Sequence, residues 1–262
     1  MSPPLSFVIP TRNHGRFIRR CIDGCLAQAI DGAEIIVRDG GSEDGTQEIL
    51  RSYGDRIRWV SQKDGGQSEA INKAIADARG DIIAWINSDD YYARHDVVRR
   101  VLDAFAAEPL ADVVHGDGEV VDVDERPFRR YPSRDVDGGR ALLAHPTCIV
   151  QPALFFRREL FNAVGGLREE LHWAMDFDLW LRMFPRARKI VYLPEVIACV
   201  RSHRDAKTYR GMLQQIREVI RLKREHAPRL HPSLRQRVES ANADVMLYAY
   251  WAAVRLGLWR AA

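Results

Sequence analysis

The chain has 262 residues, 46% hydrophobic and 29% charged, with a formal net charge of +3. That is an ordinary globular composition, long enough for one large core or two small ones, and too weakly charged to imply nucleic acid binding. The charge is uneven, however: from Cys199 to Arg237 eleven Lys/Arg stand against three Asp/Glu, a local +8. Such a stretch suggests either an anionic partner or membrane face, or a solvated helix surface.

In chain order, LSFVIP (5–10) is an apolar strand, and Phe17, Ile18, Cys21, Ile22, Cys25, Leu26 and Ala29 follow helical spacing. AEIIVRD (33–39) is a second strand, and Ser42 is the expected cap of a helix over 44–53. IRWVSQ (57–62), a helix over 68–78 and DIIAWIN (81–87) continue the alternation. Continuous apolar strands alternating with helices predict a Rossmann-like, mostly parallel sheet flanked by helices, with ligand beyond the carboxyl ends of the strands. The second half is more mixed. Two short strands are expected around Gly116–Gly118, a loop over 130–139, and a strand over 148–158 feeding a short helix that ends at Gly165-Gly166. A helix over 175–184, an extended run over 189–203 and two helices over about 206–226 and 233–260 complete the chain. With no repeat or low-complexity linker, the expectation is one continuous domain with a C-terminal helical extension.

The four cysteines, Cys21, Cys25, Cys148 and Cys199, lack metal-type spacing and are expected to be reduced and buried, as in a cytoplasmic protein. The N-terminus has no secretory signal pattern, and no window reaches the ~18 apolar residues of a spanning helix.

Every strand of the first half delivers polar residues to one edge: Thr11, Arg12 and Asn13; Asp39; Gln62, Lys63 and Asp64; and Ser88, Asp89 and Asp90. Four clusters on one rim indicate a polar ligand. Two adjacent carboxylates in INSDD suit either a turn and cap or a divalent cation that carries phosphates.

The ordered set SFVIPTRN, DGGSEDGT, GGQSEAINKAIADARGDIIAWINSDD and MDFDLWLR resembles the family-2 glycosyltransferases of GT-A fold, over about residues 5–205. The resemblance implies a GT-A domain over 1–205, with a nucleotide-binding half (1–110) and an acceptor-binding half (111–205), followed by helices over 206–262. It implies inverting transfer of a sugar from a nucleoside diphosphate, UDP or TDP by the aspartate at 39, to a hydroxyl of a saccharide or lipid-linked saccharide. Polysaccharide or glycolipid biosynthesis at the cell surface is the expected setting, and no nucleic acid is implied. By motif position Asp176 is the general base. Pro10, Thr11, Arg12, Asn13, Asp39, Gln67, Lys73, Ser88 and Asp89 meet the donor, and Asp90 with His203 holds Mn2+ or Mg2+. Arg201, Arg204 and Lys207 are expected to close over the diphosphate. His145, Gln151, Trp173 and Trp180 are expected on the acceptor side, Trp180 because it shares a helix face with Asp176. Met175 departs from the family pattern, which often has an acid there. A nucleotidyltransferase and a non-catalytic nucleotide-sugar-binding protein remain as alternatives.

In the tail, Leu247, Tyr250, Trp251, Val254 and Leu258 share one helical face over 245–259. Packing on the domain, a homodimer contact and peripheral attachment to the cytoplasmic face of the membrane are the three readings.

Overall fold

The computed structural model describes residues 4–133 and 136–255. The first strand, β1 (Leu5–Thr11), is buried along its whole length. Its alternating side chains feed two cores, with Leu5, Phe7 and Ile9 in one and Val8 in the other. Each such apolar side chain contributes about 1.5–3 kcal/mol by burial, so an apolar run without a polar face settles as a central strand rather than an edge.

The next elements are α1 (Ile18–Leu26), β2 (Glu34–Asp39), α2 (Thr46–Arg51), β3 (Arg58–Ser61), α3 (Gln67–Asp77), β4 (Ile82–Trp85), β5 (Tyr91–Tyr92) and α4 (Val97–Ala107). They are followed by β6 (Ala111–Val121), β7 (Pro127–Tyr131), α5 (Arg140–Ala144), β8 (Leu154–Arg157), α6 (Arg158–Ala163), α7 (Met175–Met183) and β9 (Lys189–Arg201). The chain closes with α8 (Lys207–Arg210), α9 (Met212–Leu230) and α10 (Leu234–Arg255). Among the described residues the strands form one sheet in the order β3-β2-β1-β4-β8-β6-β9-β5, with β7 beside β6. β3, β2, β1 and β4 run parallel, β8 is antiparallel to both β4 and β6, and β6 and β9 are parallel. Helices α1 and α4 cover one face; α3, α6, α7 and α9 cover the other.

Three local expectations change. Residues 111–121 form a single strand, because Gly116 and Gly118 are not turn residues: a Cβ there would stand 2.5 Å from Ile197 Cδ1 and 2.4 Å from Val150 Cγ1 respectively. Close approach of neighbours, not chain reversal, requires those glycines. The expected loop at 130 begins inside β7. Ser42 does not cap α2; the helix has Gly45 as its N-cap, without a side-chain cap bond, and Asp44 just ahead accepts the Thr46 N–H at 3.2 Å and the Gly15 N–H at 2.9 Å.

The C-terminal helices share the main core. Val219, Leu222 and Leu230 belong to the same cluster as Val8 and Trp85, and Leu247 packs against it. Lys223 is 3% exposed; its ammonium donates to Ser240 O at 2.9 Å and pairs with Asp244, which ties α9 to α10. Of the apolar face expected in the tail, Leu247 has a described side chain. The side chains of Tyr250, Trp251 and Val254, and all of Leu258, lie outside the described residues. All four cysteines are free and buried. No described helix is long and apolar enough to cross a membrane.

Candidate active site

The rim begins where β1 and β2 end side by side, Thr11 opposite Asp39. Asp39 is 1% exposed and already well coordinated: it accepts from the Ser42 N–H at 3.1 Å, the Ser61 hydroxyl at 2.6 Å and the Ser42 hydroxyl. A carboxylate has about four lone-pair directions, so little capacity is left for a ligand. Thr11 Oγ1, by contrast, is buried without a hydrogen-bond partner among the described residues, an unmet polar group at the strand edge. Pro10 is buried within β1 opposite Arg38. Arg12 is exposed, against Gly40. Asn13 joins the loops after β1 and β2, its N–H donating to Ser42 Oγ at 2.6 Å and its amide oxygen accepting from Glu43 N at 2.9 Å.

β4 stops at Trp85, and the next strand, β5, pairs with β9 on the far side of β8 and β6. Residues 86–90 are the crossover, a topological switch where open sheets form ligand crevices. A turn closed by Asp90 N–H to Asn87 O at 3.0 Å sets the two carboxylates there. Asp90 is 4% exposed, and its Oδ1 accepts the Arg201 N–H at 3.0 Å. Burial, reinforced by the charge of Asp89, pushes its carboxyl well above the ordinary range. Burial acts the same way on Asp89, but the His203 hydrogen bond and the His14 and His203 charges outweigh it and hold Asp89 low. His203 Nε2 lies 3.1 Å from Asp89 Oδ2, so the histidine expected to share a metal with Asp90 approaches its neighbour instead. Ser88 Oγ bonds His14 Nδ1 at 2.7 Å.

Arg201 does not reach over a ligand. Its side chain is 4% exposed beneath the pair, donating to Asp89 O at 3.1 Å and Glu125 Oε1 at 3.0 Å, with the guanidinium over Phe17 and Tyr91. It is drawn inward because backbone carbonyls and two aromatic faces there satisfy its planar cation.

The second carboxylate centre lies at the start of α7. Asp176 is half-buried, and its Oδ1 accepts the Phe177 N–H at 2.8 Å. Burial raises its carboxyl above the ordinary range, only partly offset by the Phe177 N–H, its own N–H and the Lys207 charge. The helix N-terminus does favour the anion, as the sequence suggests, but desolvation is the larger influence here. Asp178 faces inward at 0% exposure, bonded to His226 Nε2 at 3.0 Å and to Arg182 at 2.7 Å.

A polar chain runs from Lys207, whose charge acts on Asp176, to the strand ends. Lys207 Nζ donates to Gln67 Oε1 at 3.1 Å, Gln67 to Asn87 Oδ1 at 2.9 Å, Asn87 to Gln151 Oε1 at 3.0 Å, and Gln151 to Trp85 O at 2.7 Å. Gln67 and Gln151, expected on opposite sides of the cleft, thus meet through Asn87. Trp173 is half-buried, with Lys207 5.8 Å from its ring centroid. Glu218 of α9 accepts the Trp173 and Ala174 N–H groups at 2.8 and 2.6 Å, immediately ahead of Asp176.

Two expected acceptor residues lie elsewhere. Trp180 is 3% exposed, stacked on Phe184 and edge-on to Phe156. It shares the helical face of Asp176, but one turn further along α7 that face enters the core. His145 is exposed at the end of α5 and, among the described residues, makes no side-chain hydrogen bond. Lys73 pairs with Glu69 at 2.5 Å on the half-exposed side of α3. Asn87, His14 and Glu218 were missed in the sequence. Asn87 was visible between the apolar strand and the acidic pair; nothing local marks Glu218.

The α/β architecture is that of the GT-A glycosyltransferases. S. aureus TarS in complex with UDP-GlcNAc aligns with TM-score 0.68 at 20% identity, over 90% of this chain and 69% of that one. A mannosyltransferase from Pyrobaculum calidifontis, in complex with GDP-Man and Mn2+, aligns with TM-score 0.62 at 19% identity, over 99% and 82%. Residues 6–165 match the family model for glycosyl transferase family 2, and the chain belongs to that family. It is 30% identical to an uncharacterized glycosyltransferase of Rickettsia typhi, over 83% of this chain and 69% of that one. It is also 30% identical to the uncharacterized glycosyltransferase EpsJ of Bacillus subtilis (79% and 64%), and 28% identical to chondroitin synthase of Escherichia coli (72% and 28%). The chain is an enzyme of the glycosyltransferase type.

Proposed function

We propose that this enzyme transfers a sugar, with inversion, from a nucleoside diphosphate to a hydroxyl of a saccharide or lipid-linked saccharide, in polysaccharide or glycolipid synthesis. The observation that carries this reading is one polar chain, Lys207–Gln67–Asn87, that runs from the lysine whose charge acts on Asp176 to the turn that carries the acidic pair. The name of one relative, chondroitin synthase, and the nucleotide sugars of the structural neighbours support the substrate class.

Asp176 takes the proton of the acceptor hydroxyl as that oxygen bonds the anomeric carbon. The bond from the same carbon to the diphosphate oxygen breaks on the opposite face, which inverts the centre. A base with a raised pKa suits this step, since proton transfer improves as the base approaches the working pH. The uracil or thymine imide N–H would be read by the remaining lone pair of Asp39, with the unpartnered Thr11 hydroxyl beside it. Gln67 and His14 stand where they can reach ribose or phosphates.

The acidic pair fits a divalent cation. Two adjacent carboxylates stand here, Asp90 buried and forced toward its neutral form despite Arg201 beneath it, so a further cation would favour the ionised pair, and hard oxygen donors suit Mn2+ or Mg2+. Asp90 and Asp89 would hold it with His203 alongside, and donor phosphates and water would complete the shell, because no three-residue ligand cluster exists among the described residues. The ion would supply charge neutralisation to the leaving diphosphate.

The test is Asp176→Asn. Turnover should fall by about 10²- to 10⁴-fold, while calorimetric affinity for the donor nucleotide changes less than about twofold. Unchanged turnover refutes the assignment. A melting-temperature panel of UDP-, TDP- and GDP-sugars with Mn2+ identifies the donor, because a ligand that binds only the folded state stabilises it.

A further inference from the structure

Arg217, Arg221 and Arg224 lie four and three residues apart on α9, which puts them on one face, and all are exposed. They line a groove with Ile220 and, from α10, Val245 and Tyr248. The acidic groups nearby are otherwise engaged: Asp244 pairs with Lys223, and Glu218 accepts the N–H groups ahead of α7, 3.7 Å from Arg221. Among the described residues Arg217 and Arg224 have no ionic partner. Beside this basic row Val245 and Met246 are each 67% exposed and Tyr248 is 41% exposed, while Leu247 between them packs on the core.

Three partner chemistries can be weighed. An acidic soluble protein would answer the arginines but leave Val245 and Met246 against polar groups. A second copy, meeting the same patch about a twofold axis, would bring six arginines together, and like charges at a closed interface repel. An anionic bilayer offers phosphates to guanidinium groups and an apolar interior to the aliphatic side chains at once.

We propose that the α9–α10 face docks on an anionic phospholipid bilayer, with Arg217, Arg221 and Arg224 on the lipid phosphates and Val245, Met246 and Tyr248 at the acyl boundary. Because Glu218 of the same helix touches the backbone just ahead of Asp176, docking brings the start of α7 close to the lipid surface. The docking itself needs neither donor nor acceptor, so it stands or falls apart from the sugar-transfer reading.

Co-sedimentation of the full chain with vesicles tests it, comparing phosphatidylcholine alone with vesicles containing about one third phosphatidylglycerol, near 0.1 M salt. Binding to the anionic vesicles only is expected. Arg217→Glu/Arg221→Glu/Arg224→Glu should lower the partition coefficient on the order of 100-fold, at about 1 kcal/mol per residue. Arg217→Gln or Arg224→Gln, which breaks no ion pair, should cost about fivefold each on the same scale. Val245→Ser/Met246→Ser/Tyr248→Ser should weaken the binding that survives high salt, and a charge-matched control, Arg99→Glu/Arg126→Glu/Arg186→Glu, should retain binding. Absence of binding to anionic vesicles, equal binding to neutral ones, or equal loss in the control overturns the proposal. So does a dimer in light scattering that the serine triple converts to monomer while vesicles go unbound.

Discussion

The two acidic centres of this enzyme are built in opposite ways. Asp89 and Asp90 follow a buried strand by a few residues, and the turn that presents them closes within the segment, from Asp90 N–H to Asn87 O. Asp176 depends on distant chain: the backbone ahead of it is held by Glu218, 42 residues downstream of Asp176, and its electrostatic surroundings come from Lys207 and Glu218. A site assembled at strand ends inherits its geometry from the sheet ladder. A site at a helix start needs another element to satisfy the free N–H groups and fix the approach. The first should tolerate changes in the C-terminal helices; the second should not.

The largest effect that separates them is on stability. Burial opposes ionisation of Asp178, but His226, Arg182 and Arg168 outweigh it and hold the carboxyl below its ordinary range. Asp178→Ala leaves two arginines without their buried partner and should cost about 3–5 kcal/mol in denaturant unfolding. The folded state binds this proton less readily than the unfolded chain, so the contribution is complete above the unfolded value, near ~3.9, and is lost as pH falls through the depressed folded value. Wild-type stability should therefore decline on acidification below about pH 4 more steeply than that of Asp178→Asn.

Next in size, Asp90→Ala should cut turnover by about 10²- to 10³-fold, as loss of an electrostatic stabiliser does, and abolish Mn2+-dependent donor binding in calorimetry. Normal binding would show that the pair is only a turn. Glu218→Gln keeps the shape but weakens the charged acceptor of two N–H groups, worth about 1–2 kcal/mol; kcat should fall about tenfold with donor KM unchanged. A rise in donor KM instead would place its effect on the nucleotide side. The smallest effect is in the pH profile. As the proposed base, Asp176 would have to be ionised, and its raised pKa would put the acid limb of kcat/KM above that of an ordinary carboxylate, ~3.9. Since the Glu218 charge adds to that rise, Glu218→Gln should move the limb to lower pH.

The parallel strands and the helices against them were legible because their periodicity is local, and the acidic pair because it ends an apolar strand. Misreadings cluster where contact partners lie far along the chain. Gly116 and Gly118 look like turn residues, yet Ile197 and Val150 press against them. Trp180 has the spacing to join Asp176, but Phe156 and Phe184 take it into the core. Arg201 looks like a phosphate ligand in a basic stretch, and aromatic rings with carbonyls draw it underneath the aspartates.

The sequence by itself determined the strand–helix alternation, the set of polar strand ends and the family, because each is written in residues that are neighbours along the chain. Only the tertiary structure decided that His203 stands against Asp89, that Asn87 joins Gln67 to Gln151, and that Glu218 secures the backbone before Asp176. Those contacts join segments 20 to 114 residues apart, and at such separations packing of the cores, not local propensity, selects which polar groups meet.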